Sequence, residues 1–219
     1  MQSKQQPWLA TFIVLATTWG LSFFFIAVSL ESFSAVGVAV LRNLFGAIAL
    51  VIWSLVTKQK FVREGKIWLK MLVLGFVLNA FPGLMFAIAE QLLDSSLAGI
   101  LNATTPLFSV LFITLVFRSE TITRSQVAGL ILGFLGVLVL FGNLSFTGSN
   151  VPLGILLILM ATLGYGFSFP FTRRFVMPLG LKSEAIVATQ LILAATTLAP
   201  LFLFNGLAGE GFQFMPALS

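Results

Sequence analysis

Charge interrupts this chain of 219 residues only at intervals of about twenty, and that spacing leaves few folds open. In hydrocarbon no water pairs a free backbone N–H or C=O, so a spanning segment must satisfy itself as a helix of about 20 apolar residues. Stretches of that length lie at 8–30, 34–56, 67–89, 96–117, 125–141, 152–172 and 183–205. Only 9% of the residues are charged and 58% are hydrophobic, more apolar side chain than a soluble fold of this size can hide. An all-α polytopic membrane protein with seven transmembrane helices is expected, with the bilayer as its first partner. The run at 8–30 is longer than a signal-peptide core and no small-x-small cleavage site follows it, so it is read as a span.

The charges orient the spans. Lys4, Lys58, Lys60, Arg63, Lys66, Lys70, Arg118, Arg124, Arg173, Arg174 and Lys182 all fall at joints on one side, while Glu31, Glu90, Asp94 and Glu210 mark the other. Eleven of the twelve basic residues thus share a face, which places the N-terminus in the cytoplasm. The net charge of +5 belongs to membrane orientation, so nucleic acid is not expected as a partner. The chain has no histidine and no cysteine, which removes thiol chemistry, disulfides and the usual metal ligands; no cofactor and no metal are expected.

The five residues Trp19 to Phe23, "WGLSF", recur 146 positions later as "YGFSF" from Tyr165 to Phe169. Between the copies, residues 142–151 form a polar, Gly- and Ser-containing joint after five spans. An odd number of spans per unit inverts the second unit in the membrane, a common plan of secondary transporters. The units are read as 1–146, a five-helix repeat, and 147–219, a partial second repeat of two helices. Laying span 2 on span 7 puts Gln190 opposite Arg42.

Several residues stand out within the spans. Arg42 lies about eight residues into the second, where a guanidinium costs about 2.5–3.5 kcal/mol. A clamp between helices, a substrate carboxylate or phosphate, snorkelling, or a carboxylate such as Glu31 or Glu90 could each offset that cost. Asn79, Gly83, Phe86 and Glu90 share one helical face, and Pro82 breaks that helix midway because it cannot donate to the Leu78 carbonyl. The break suits a pathway or a packing kink, and Glu90, near the outer end, is expected to face water rather than couple protons. Asn102 and Thr105 precede Pro106 and serve either as interhelical glue or as cavity lining. Trp19 with Ser22, and Tyr165 with Ser168, make two polar-tipped aromatic strips at mid-span, expected to face one another across a path; close packing at Gly20 and Gly166 is the alternative. Gly129 and Gly133 have the small-xxx-small spacing of a helix–helix contact. Glu120, near Arg118 and Arg124, is read as a loop-ordering ion pair or a cytoplasmic gate.

Residues 86–141 carry a more specific pattern. Ala98 and Pro106, the Glu120-Thr-Ile-Thr123 turn, Gln126, and Gly129 with Gly136 follow in order, together with Trp19-Gly20 and Arg42 upstream. In these features the chain resembles an EamA-type carrier of the drug/metabolite transporter superfamily. The resemblance implies ten helices in two inverted five-helix halves with a substrate path between them, of which seven are present here. It implies a secondary-type transporter in the inner membrane that moves a small metabolite, amino acid or drug-like solute, in the export direction, by alternating access. A non-transporting membrane fragment or assembly subunit is the alternative, and homo-oligomer formation is left open. An intramembrane enzyme is disfavoured, since no nucleophile–base pair or metal cluster lies at mid-membrane. Topology reporters fused at Lys60 and at Arg124 are expected to report the same compartment; opposite compartments would overturn the orientation.

Overall fold

The computed structural model describes residues 8–58, 64–118, 122–142 and 151–207. Every regular element among them is helical: α1 (Trp8–Leu30), α2 (Ala35–Val56), α3 (Gly65–Gly75), α4 (Phe81–Ala89), α5 (Ser95–Asn102), α6 (Thr105–Leu111), α7 (Arg124–Gly142), α8 (Val151–Phe171) and α9 (Ser183–Leu207). Single π turns at Phe76–Ala80, Phe112–Val116 and Thr172–Val176 continue α3 into α4, extend α6 and extend α8. Six runs are long and apolar enough to cross a membrane: Trp8–Leu30, Ala35–Val56, Gly65–Ala89, Ser95–Val116, Val151–Leu179 and Ser183–Phe204. The remaining expected span is helical as α7, with a shorter apolar run, Arg124–Val137. The chain is therefore a polytopic all-α membrane protein, as its sequence indicates.

The prolines act where chemistry requires. Pro82 leaves the helix before it short of a donor, and the turn Phe76–Ala80 widens to π geometry with Phe81 N–H bonded to the Phe76 carbonyl. Pro106 divides span 4 at Ala103–Thr104. There the Thr104 hydroxyl donates to the Leu101 carbonyl at 2.7 Å and lies 3.1 Å from the Thr162 hydroxyl of α8, so polar groups at the break find partners within the protein. Helix starts are signalled locally as well. Ser34 Oγ accepts the Gly37 N–H at 3.1 Å to cap α2, and Thr123 and Gln126 exchange bonds across the first turn of α7 as a capping box.

Lipid is as apolar as a leucine side chain, so helices associate through close approach and interhelical hydrogen bonds rather than through hydrophobicity. The widest contact joins α2 to α9; α8 packs on α4 and α6, and α3 on α9. Glycines set the closest crossings. A Cβ on Gly75 would stand 2.6 Å from the Gln190 carbonyl of α9, and one on Gly166 would stand 2.5 Å from Phe108 Cβ and 2.8 Å from the Ser109 nitrogen. Asn79 donates to Gln190 at 3.4 Å across the same α3–α9 seam. At the basic face, Arg174 donates to the Phe117 carbonyl at 3.2 Å and Lys70 to the Phe175 carbonyl at 3.3 Å. The ends of spans 3, 4 and 6 thus meet on one side, with cations on carbonyls that a helix C-terminus leaves unpaired.

Two packing expectations are corrected. Gly129, Gly133 and Gly136 of α7 have no atom within 4 Å of an added Cβ; instead of a close contact, Gly129 and Gly133 line an apolar groove of about 480 Å³ with Pro106, Val110 and Phe134. α7 meets span 4 at α5 and leaves a groove along α6, so among the described residues the small residues leave space rather than admit a neighbour. Likewise Gly20 of α1 faces open space while Gly166 is tightly occupied, and α1 buries only Ile26. Gly166→Val is therefore expected to lower stability by about 1–3 kcal/mol through overpacking, seen as a reduced thermal midpoint in detergent. Gly20→Val should stay within about 0.5 kcal/mol of the parent.

Candidate functional site

The α4 segment supplies the middle of the site. Phe86, 1% exposed, is its anchor. Its ring meets Phe23 of α1 at a centroid distance of 5.4 Å, tilted by 56°, and stacks on Tyr165 of α8 at 6.0 Å and 25°. The hydroxyl of Tyr165, itself buried, lies within hydrogen-bond reach of the Arg42 guanidinium of α2. Four spans therefore converge on one aromatic column that ends in a cation.

Beyond that cation, α1 and α2 line a half-open cavity of about 500 Å³, within the range of small-molecule sites. Phe25, Phe33 and Phe45 give it apolar walls, and Thr18, Ser22, Ser29 and Arg42 supply its polar groups. Arg42 is exposed along this cavity. Ser22 donates its hydroxyl proton to the Trp19 carbonyl at 2.6 Å, and Ser168 does the same to Tyr165 at 2.7 Å. The two motif copies thus share a local bond one turn back along the helix.

Glu90 is the residue whose surroundings differ most from expectation. It was read as water-facing, yet both carboxylate oxygens are buried and neither has a hydrogen-bond partner among the described residues. It stands one residue beyond the third span, and burial pushes its carboxyl up to about 8, with the positive charge of Arg42 pulling the other way. Glu90 ends a helix whose last turn, with Phe86, Ala87 and Ala89 essentially buried, is packed against other spans.

The other candidate residues divide between two regions. Trp19 is 48% exposed and does not turn inward; Phe23, on the same helix, makes the link to Phe86 and so to Tyr165. The expected meeting of Trp19 with Tyr165 across a path is replaced by that ring column, because α1 packs mainly on α5 and α2 rather than on α8. Ser168 is fully buried beside the Gly166 crossing, whereas Ser22 lies on the cavity wall. Asn79 and buried Gln190 hold α3 against α9, away from the residues that line the cavity. Thr105 donates to the Asn102 side chain at 3.3 Å within span 4. Glu120 lies outside the described residues. Thr18, Ser29, Phe23 and Thr104 were missed; spacing by three and four places Thr18, Ser22 and Ser29 on one face of α1 and could have signalled them.

Membrane-spanning helices broken by proline within the bilayer, a cation set inside a span and a polar-lined cavity between spans mark this as a polytopic membrane protein with a built interior site. The EamA-like transporter family model matches residues 6–142, and the chain belongs to that family. It is 28% identical over 214 residues to the uncharacterized inner membrane transporter YedA of Escherichia coli (strain K12), covering 97% of this chain and 66% of that protein. The uncharacterized transporter YdfC of Bacillus subtilis (strain 168) is 28% identical over 82% of this chain and 58% of its own length. An uncharacterized transporter of Archaeoglobus fulgidus is 30% identical over 80% of this chain and 63% of its own length. The chain therefore spans no more than 66% of the length of these relatives.

The buried acid has a measurable consequence for stability. A carboxyl raised from 4.5 to about 8 binds its proton more tightly in the folded state. The stability it supports is complete below about pH 4.5 and is lost as pH rises through about 8. Thermal midpoints in detergent should fall across that window, and Glu90→Gln should flatten the decline and exceed the parent at pH 9. An unchanged slope in the variant would remove Glu90 as its cause.

Proposed function

We propose that this chain is the carrier portion of a secondary transporter that moves a small metabolite, amino acid or drug-like solute out of the cell by alternating access. The observation that carries this is the cavity between α1 and α2, whose wall combines apolar rings with three hydroxyls and one guanidinium, in a chain of a transporter family. Rings supply non-directional contact area, and a few placed polar groups fix orientation.

Two inverted units, 1–146 and 147–219, are the proposed architecture, with the N-terminus in the cytoplasm. Support comes from the matching Ser22–Trp19 and Ser168–Tyr165 bonds. The α2–α9 contact, formed by helices in corresponding positions of the two units, supports it as well. So does the gathering of Lys70 and Arg174 at one face. Ser22, Arg42, Phe86 and Tyr165 would line or back the solute path, while Asn79, Asn102, Thr105, Ser168 and Gln190 would hold its walls.

The absence of cysteine makes access testable with single introduced thiols. Ser22→Cys on the cavity wall is expected to react with a charged, water-borne methanethiosulfonate in proteoliposomes. Leu132→Cys, on the 70% exposed outer side of α7, should not react. Equal protection of both thiols would sink the water-accessible path, and with it the carrier assignment.

A further inference from the structure

We propose that Arg42 anchors the carboxylate of an anionic, otherwise apolar solute in the cavity between α1 and α2, and that a proton on Glu90 binds together with that solute. This deepens the carrier reading and rests on it for the use to which binding is put.

Arg42 is the one basic residue of the sequence set in a span interior; the other eleven lie toward one side. Its guanidinium has five N–H groups in a planar fork and is always charged. Tyr165 can occupy one of these donors. Glu90, close enough for its charge to be felt, makes no hydrogen bond to it. The fork therefore faces the cavity with donors to spare, in the geometry that a carboxylate accepts in two parallel bonds. Phe25 and Phe45 flank it with broad exposed ring surface, which suits an aromatic or branched apolar body. Among the described residues no carboxylate lines the cavity, and the Arg42 charge disfavours a cation there.

The proton follows from charge. The elements packed on α4 are α8, α2, α1 and the turn that joins α3 to α4. In these, the titratable groups at the Glu90 end are Arg42 and Tyr165; the loops on that side add Glu31 and Asp94. Arg42 is the charge that acts on Glu90, and it favours the ionised form. A carboxylate docked on Arg42 cancels that field and leaves the buried acid to take up a proton. By thermodynamic reciprocity, a proton on Glu90 then strengthens binding of the anion by the same factor. Above about pH 8, where the acid is otherwise ionised, the anion and a proton therefore bind as a pair, and below it the proton is already in place.

The test uses three probes with one apolar body and different charge: phenylacetate, phenylacetamide and 2-phenylethylammonium. Binding to the full chain in nanodiscs is measured by calorimetry from pH 6 to pH 10, where phenylacetate stays ionised. Below about pH 8, phenylacetate is expected to bind about 10- to 100-fold more tightly than the amide, and the ammonium not at all. Phenylacetate affinity should then fall about 5- to 150-fold as pH rises through about 8, while amide affinity stays level. Glu90→Gln should keep the low-pH affinity and lose the pH dependence, and Arg42→Gln should abolish the preference for the anion. If Arg42→Gln fails to fold, the three-probe comparison on the unaltered chain still decides. Equal affinity for acid and amide, or a Glu90→Gln variant with the parental pH profile, overturns the proposal. Tight, pH-dependent binding without phenylacetate counterflow in proteoliposomes would refute the carrier reading and leave this site standing. Counterflow of neutral solutes without anion preference would do the reverse.

Discussion

No water reaches a backbone carbonyl in the middle of a bilayer, and each spanning helix of this protein is arranged around that lack. Where Pro82 and Pro106 remove a donor, the structure answers within a turn. At Pro82 the backbone widens to reach a donor one residue farther along. At Pro106 a threonine side chain supplies a proton and borrows a second anchor from α8. The breaks are held by protein rather than left to solvent, so they can sit beside a cavity without destabilising the span. Phe86 and Glu90 stand downstream of the first break and take their direction from it.

Close approach does the remaining work of association. Gly75 lets α3 touch the backbone of α9, and Gly166 lets α8 press into span 4. The Gly166 crossing fixes α8, and α8 fixes the Tyr165 ring against Phe86 and its hydroxyl near Arg42. The cation is thereby tied to the core on one side and open to the cavity on the other. α1, which closes that cavity, is held chiefly through Phe23 and Ile26 and leaves rings such as Phe12, Phe24 and Phe25 largely exposed. A firmly packed wall thus faces a lightly packed one.

Much of this was legible in the sequence, and the illegible part has one physical source. Span positions follow from length and charge, and the break at Pro82 follows from a missing N–H; these are local properties, and each was placed to within a few residues, whereas the division of span 4 at Pro106 was not read although the same missing N–H signals it. Which face of a span meets protein is not local. A lipid tail and a leucine are alike in polarity, so the apolar pattern that separates core from surface in water is silent here. That is why Trp19 could be taken for the inward aromatic when Phe23 holds that position, and why Gly129 and Gly133 suggested a contact that the structure leaves open. Glu90 illustrates the same point with a charge: its depth could be counted along the helix, but its enclosure depends on Phe86, Ala87 and Ala89 meeting neighbours from other spans.

The π turn at Phe76–Ala80 means that spacing itself carries information in the third span. Such a turn holds one residue more than an ordinary helical turn and so sets α4 about 100° ahead of the phase that an uninterrupted helix would give. Phe86 and Glu90 reach Tyr165 and Arg42 because of that offset. A lineage could therefore redirect this face toward other neighbours by losing a single residue upstream, with every side chain on α4 unchanged.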